Sequence, residues 1–243
     1  MKRLILFTLV MFAVWSLETW WLNSRQPEIS TTLALRQFDG TDASAANLRQ
    51  FEAAKDAYER ALQQDPSQPV YYARLGGAYI LLRRFAHALD VFQRAAQRFP
   101  ENADMHYFVA LAARGLGDYE LAQSASRKSL SLQPNNVDAL ALLGAIMSDR
   151  GDTAEAEALL RRAIALNDKH FNACHDLGLL LVRTRRYDEA LPILQRAASL
   201  DNSDADVHYQ LFIAFSRLKR KQEADRELAT HKQLTEQQKS KSK

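Results

Sequence analysis

Apolar residues recur three or four positions apart along most of the chain, in stretches of about 14 residues. Leu75, Tyr79 and Leu82 form one such stripe, and Leu89 and Phe92 begin the next. This spacing places apolar side chains on one face of an α-helix, whereas a half-buried strand would alternate strictly. Short polar turns separate the stretches, at residues 83–84, 117–118, 151–152, 185–186 and 219–220. The pattern predicts an all-α chain built from pairs of helices.

The helix pairs repeat at a fixed interval of 34 residues. One alanine column runs through six units, at Ala54, Ala88, Ala122, Ala156, Ala190 and Ala224. A second column holds small residues until the last unit, at Gly76, Ala110, Gly144, Gly178 and Phe212. A third column is mostly bulky, at Phe92, Ser126, Leu160, Leu194 and Leu228. Columns that stay in phase over many units indicate internal repeats, each of which buries its apolar faces against its neighbours.

These columns resemble the tetratricopeptide repeat family, most clearly in the unit YYARLGGAYILLRRFAHALDVFQRAAQRFP at residues 71–100. The resemblance implies a right-handed α-solenoid of stacked helix-turn-helix hairpins. Its small columns would let two helix backbones approach closely, while the bulky columns fill the space beside them. The predicted units are a capping half-repeat at 43–66, five repeats at 69–102, 103–136, 137–170, 171–204 and 205–238, and a basic tail at 239–243. The last repeat includes the C-terminal cap.

The same resemblance implies that the first helix of each repeat lines a concave groove. The corresponding residues are Ala73, Gly77, Ile80, Tyr107, Leu111, Arg114, Ala141, Ala145, Ser148, His175, Leu179, Arg183, Tyr209, Ile213 and Arg217. The lysine–asparagine clamp with which related chaperone adaptors hold a C-terminal carboxylate is missing at these places. What remains is an apolar groove with tyrosines and a few arginines. Such a surface suits an amphipathic helix or an apolar peptide with acidic flanks.

The N-terminus carries an apolar run behind two basic residues, Lys2 and Arg3. We favour an uncleaved signal anchor at residues 1–22, with residues 4–22 in the bilayer, because a span needs about 20 residues. The basic flank then keeps the N-terminus cytoplasmic and places the repeats outside the cytoplasm, in the periplasm if the cell is a Gram-negative bacterium. A cleaved signal peptide and a buried N-terminal helix are the alternatives. Residues 23–42 show no periodicity and are predicted to be a flexible tether.

Composition excludes several classes of protein. A net charge of +3 in 243 residues gives no support to nucleic-acid binding, and a single cysteine, Cys174, excludes an internal disulfide framework. His170 and His175 are five residues apart, which does not place them on one helix face as a metal pair. No nucleophile, base and orienting group can be assembled from the spacing, so we expect no catalytic residues, no cofactor, no metal and no small-molecule substrate.

The sequence thus predicts a non-enzymatic, membrane-tethered scaffold that binds a partner protein or peptide in its groove. The expected setting is assembly, secretion or maturation at a cell envelope. The alternative is an exported soluble protein whose repeats bind a peptide or a cell-wall polymer.

Overall fold

The computed structural model describes residues 45–241, which form eleven α-helices joined by short turns. The helices are α1 (Ala45–Gln64), α2 (Pro69–Leu81), α3 (Phe85–Arg98), α4 (Ala103–Leu116), α5 (Tyr119–Leu132), α6 (Val137–Arg150), α7 (Thr153–Leu166), α8 (Phe171–Arg183), α9 (Tyr187–Leu200), α10 (Ala205–Arg217) and α11 (Lys221–Lys241). The predicted anchor at 1–22 and tether at 23–42 lie outside the described residues. Within residues 45–241, every helix is too short or too polar to cross a bilayer.

The helices stack into a solenoid of five hairpins, each made of a first helix and a second helix. The first helices are α2, α4, α6, α8 and α10, and the second helices are α3, α5, α7, α9 and α11. Neighbouring first helices contact each other along the array. The second helices α3, α5, α7 and α9 each pack between their own first helix and the next one, and α11 packs on α10. The helix α1 packs on α2 at the N-terminal end. The first helices therefore form one continuous layer.

Small residues sit where the two helices of a hairpin cross. Gly144 and Gly178 each face a fully buried leucine of the following helix, Leu160 and Leu194 respectively. A single added Cβ at Gly144 would lie 2.7 Å from Cγ of Leu160, well inside van der Waals contact. The small column is therefore set by the close approach of helix backbone and leucine side chain.

Side chains at the repeat junctions define where the first helices begin. The N-cap residues Asn102, Asn136, His170 and Asp204 each accept a hydrogen bond from a backbone amide in the first turn of the helix, at 2.9 to 3.1 Å. This satisfies one of the amides that an α-helix leaves without an internal partner. The helix α2 instead begins with Pro69, whose ring has no amide proton to satisfy.

A second set of side chains satisfies the carbonyl groups at the repeat junctions. Tyr72, His106, Cys174 and His208 occupy one column, and each lies against the carbonyl oxygen six residues earlier. In the third repeat this column holds Leu140, and Arg162 donates to the carbonyl of Pro134 instead, at 2.8 Å. These side chains therefore have a structural role at the junctions.

Every first helix is followed, one or two residues after its last residue, by a residue in the left-handed conformation. Its φ is 56° at Arg83, 77° at Gly117, 90° at Gly151, 62° at Arg185 and 60° at Lys219. In each case its amide bonds to the carbonyl three residues back, and the next amide bonds to the carbonyl five residues back. This hydrogen-bond pair ends a helix in a Schellman arrangement, which glycine adopts without steric cost. Arginine and lysine at this place strain the backbone.

We expect Arg83→Gly, Arg185→Gly and Lys219→Gly each to raise the free energy of unfolding by about 1 kcal/mol, because each removes a Cβ from the left-handed region. Urea titrations followed by circular dichroism measure the change. The reverse substitution Gly151→Arg is the matched control and should destabilise the fold by a similar amount. A loss of stability in all three glycine variants would contradict the proposed strain.

The last helix, α11, reaches Lys241, within the residues 239–243 that the sequence predicts to be a basic tail. An ion pair stabilises the last turns of this helix, since Nζ of Lys239 lies 2.9 Å from Oε1 of Glu236.

Candidate protein-interaction surface

All fifteen predicted groove residues lie on first helices, so the structure brings them onto one layer of the solenoid. Their exposure is uneven. Five of them are buried: Gly77, Ile80, Ala141, Ala145 and Ser148. Seven are half-buried: Ala73, Tyr107, Leu111, Arg114, His175, Leu179 and Ile213. Three are exposed: Arg183, Tyr209 and Arg217.

The accessible part of this surface falls into two regions. The buried members include all three from the middle repeat, whose side chains offer a partner almost no area. Tyr107 and Leu111 remain accessible on one side of them, and Leu179, Ile213 and Tyr209 on the other. Tyr209 is 40% exposed and is the most accessible apolar residue of the predicted groove. The two regions, and not the middle repeat, can supply contact area.

Three arginines of the predicted groove differ in what they already bind. Arg114 on α4 forms an ion pair with Asp149 of the next repeat, with Nε to Oδ2 at 2.9 Å. Arg183 on α8 donates to the hydroxyl of Ser148 at 3.2 Å. The side chain of Arg217 makes no hydrogen bond or ion pair with the described residues. Arg114 therefore has a carboxylate partner, whereas Arg183 and Arg217 have none among residues 45–241.

His175 is a bridge between two repeats. Its Nδ1 lies 2.9 Å from Oδ1 of Asp176, and its Nε2 lies 3.0 Å from Oδ2 of Asp206 on α10. Burial lowers the pKa of His175, but the hydrogen bonds to the two carboxylates outweigh burial and raise the pKa to about 10. The same contact holds the pKa of Asp206 below its ordinary value. His175 is thus a half-buried cation that joins α8 to α10.

Sequence reasoning did not find the partners of these groove residues. Three aspartates each neutralise a groove cation: Asp149, Asp176 and Asp206. In the sequence, each of them is indistinguishable from an ordinary acidic residue on a helix. For Asp149 and Asp206 the available signal is a spacing near one repeat, 35 residues between Arg114 and Asp149 and 31 between His175 and Asp206, whereas Asp176 directly follows His175. Neighbouring first helices bring such positions side by side.

Other reactive side chains of the described region are occupied by the fold. His170 accepts an amide hydrogen bond at Nδ1, so its Nε2 carries the proton and donates to Asp138 at 2.9 Å. Cys174 is buried, and burial raises the pKa of its thiol. Within residues 45–241, no three His, Cys, Asp or Glu side chains are placed to hold a metal ion.

A sequence profile of the tetratricopeptide repeat matches residues 46–112 and 113–178, more than half of the chain, and a second such profile matches residues 173–207. The chain belongs to the tetratricopeptide repeat family. Tetratricopeptide repeat proteins act as protein-interaction scaffolds, and this class of function applies to the chain. No curated protein sequence matches it at a significant level.

Solved tetratricopeptide structures share the fold at low sequence identity. A chain of the APC/C hetero-tetramer Cut9–Hcn1 matches 76% of this chain with a TM-score of 0.72 and 19% identity, and the match spans 37% of that longer chain. PilF of Pseudomonas aeruginosa matches 75% of this chain and 77% of its own length, with a TM-score of 0.61 and 19% identity. YrrB, described as a TPR protein with an unusual peptide-binding site, matches 74% of this chain and 93% of its own, with a TM-score of 0.54 and 20% identity.

Proposed function

We propose that this tetratricopeptide protein is a membrane-tethered scaffold that holds a partner protein through the exposed part of its first-helix layer. The observation that supports the proposal is the half-exposed apolar strip formed by Leu179, Tyr209 and Ile213 on α8 and α10. A strip of this kind fits the apolar face of a helix or an extended apolar segment. The partner would be bound outside the cytoplasm, during assembly, secretion or maturation at a cell envelope.

The tether is supported by the sequence of residues 4–22 and by the basic residues that precede them. We expect a reporter that is active only outside the cytoplasm to be active when fused after Lys243. Activity of a cytoplasm-only reporter at the same place would contradict the topology. Mass spectrometry of the mature N-terminus separates the anchor from its alternative, because removal of the apolar run would make the protein an exported soluble one.

The tyrosines are the expected anchors of the bound segment, since aromatic side chains bring a large contact area at low entropic cost. We expect Tyr107→Ala combined with Tyr209→Ala to weaken binding of a cross-linked and purified partner by about 1 kcal/mol or more per tyrosine. Titration of the partner against both forms measures the change, and thermal melts check the fold. Tyr119→Ala on the second helix α5 is the matched control. Equal affinity of the wild type and the folded double variant would move the binding site away from the first helices.

A further inference from the structure

Two neighbouring turns carry a concentration of cations. Residues 183–186 and 217–221 contain seven basic residues and no acid. The equivalent residues of the second and third repeats, 115–118 and 149–152, contain one basic residue and three acids. Because α8 and α10 are in contact, equivalent residues of the two basic turns lie about 10 Å apart. The positive charge is therefore concentrated at one edge of the fourth and fifth repeats.

Two of these cations have structural partners. Arg186 binds Glu189 through two nitrogens, at 2.7 Å each, and also binds Glu157 of the preceding repeat. Arg220 binds Glu223 at 2.8 Å and lies 4.7 Å from the ring centroid of Phe215. These residues hold the turns in place, and they also occupy the nearby glutamates.

The five other cations are exposed and have no acidic partner among the described residues. Arg185, Arg217, Lys219 and Lys221 make no side-chain hydrogen bond or ion pair there, and Arg183 has only the oxygens of Ser148. We call four of these five residues the turn patch: Arg183, Arg185, Arg217 and Lys219. Next to the first turn, among the described residues, Asp188 is an acid that forms no ion pair with an arginine. The turn patch thus keeps a net positive charge.

Backbone strain supports a role for the turn patch. Arg185 and Lys219 are the two members that occupy left-handed positions, where the second and third repeats have Gly117 and Gly151. Glycine would end α8 and α10 with less strain, yet a long cation stands in both neighbouring turns. Strained residues concentrate where a protein binds or reacts.

The turn patch continues the apolar strip of the proposed groove. Leu179 and Arg183 are four residues apart on α8, and Ile213 and Arg217 are four residues apart on α10, so each arginine lies one turn beyond an apolar groove residue on the same helix face. A ligand that crosses both regions would need apolar residues followed by acidic ones.

We propose that the turn patch binds an acidic segment of the partner protein, directly adjoining the apolar segment that occupies the groove. This inference rests on the proposed function, because it names the chemistry of the same partner. The partner's carboxylates pair with Arg183, Arg185, Arg217 and Lys219, while its apolar residues contact Leu179, Ile213 and Tyr209. An anionic membrane surface is the competing occupant, and the test separates the two.

The test uses the full chain in neutral detergent and two labelled synthetic peptides. One peptide has an alternating leucine and alanine segment followed by five glutamates, and the other has glutamines in place of the glutamates. We expect the glutamate peptide to bind about tenfold more tightly at low salt, and the difference to disappear at about 0.5 M salt, where exposed charges are screened. Equal binding of the two peptides at low salt would overturn the proposal.

Variants locate the effect. Arg185→Gly combined with Lys219→Gly should lower the affinity for the glutamate peptide about fivefold or more and should leave the affinity for the glutamine peptide unchanged. The same double substitution should raise the melting temperature of the protein. The matched control Arg83→Gly removes a cation from the same turn position of the first repeat, so it should raise the melting temperature without changing affinity. Arg185→Lys with Lys219→Arg keeps the charge and should keep the affinity. A folded double glycine variant with unchanged affinity would overturn the proposal.

Vesicles test the competing occupant. Preferential binding to phosphatidylglycerol over phosphatidylcholine vesicles, lost in the double glycine variant, would reassign the turn patch to the membrane and overturn the proposal. The groove itself is tested separately by Tyr107→Ala combined with Tyr209→Ala, which should lower the affinity for both peptides. If the tyrosine substitutions lower peptide affinity and the charge substitutions do not, the turn-patch inference alone fails. If the charge substitutions act and the tyrosine substitutions do not, the groove assignment fails.

Discussion

Replacing Gly144 with leucine should destabilise the protein by about 3 kcal/mol or more. The Cβ alone would lie 2.7 Å from Cγ and 2.9 Å from Cδ2 of Leu160, and 3.4 Å from the carbonyl oxygen of Ala156. Leu160 is fully buried and cannot turn away into solvent. The clash can be relieved only by separating α6 from α7.

The loss should spread beyond the third repeat, because α6 and α7 also pack against the helices on either side of them. Urea titration of the full chain in neutral detergent, followed by circular dichroism, gives the free energy of unfolding. An unchanged titration midpoint for Gly144→Leu would mean that the helix register described above is wrong.

The second repeat supplies a matched control for this substitution. There the small residue is Ala110, and the facing bulky column holds the buried Ser126. Gly144→Ala should therefore cost less free energy in a Leu160→Ser background than in the wild type, although Leu160→Ser is itself destabilising. Simple additivity in this double-mutant cycle would show that the free-energy cost of Gly144→Ala does not depend on Leu160.

Replacing His175 with glutamine should lower the free energy of unfolding at neutral pH by on the order of 3 kcal/mol. The imidazolium of His175 lies between the carboxylates of Asp176 and Asp206, which raise its pKa from 6.5 to about 10 against the opposing effect of burial. A pKa that is higher in the folded state means that the folded chain holds this proton more tightly. The stabilisation is complete below pH 6.5 and is lost as the pH rises through about 10.

The measurement is the difference in unfolding free energy between wild type and His175→Gln at several pH values. We expect the difference to shrink between neutral pH and pH 10, because over this range the folded chain still holds the proton on His175 while the unfolded chain has lost it. Asp206→Asn should reproduce much of the effect. Asp104→Asn is the matched control, because Asp104 holds the same place in the second repeat, and the place of His175 in the repeat before it is taken by the uncharged Ala73. A difference that stays constant with pH would show that His175 contributes by packing alone.

Much of the fold could be predicted because the same constraint recurs every 34 residues. Ala88, Ala122 and Ala156 keep one phase, so a helix crossing in one hairpin predicts the crossing in the next. The first-helix position of the candidate groove followed from the family resemblance, and each predicted residue lies on such a helix. Repetition makes helix pairing a local property, which sequence spacing records directly.

The exposure of the groove could not be predicted in the same way. Ala141, Ala145 and Ser148 stand in the same columns as accessible residues, yet they are 2%, 3% and 7% exposed. Ser148, for example, accepts a hydrogen bond from Arg183 of the next repeat, a contact that the pattern of a single repeat does not contain. The partners of Arg114 and His175 were hidden for the same reason.

The sequence by itself determined the helices, their pairing into hairpins and the order in which the hairpins stack, because helical periodicity and the 34-residue repeat are local signals. Only the tertiary structure decided which groove positions remain open, that Asp149 and Asp206 neutralise groove cations, and that Arg185 and Lys219 hold strained left-handed positions. Exposure and ion pairing depend on distances between side chains of different repeats. Those distances are set by how neighbouring helices pack, and the spacing of residues along one chain does not specify them.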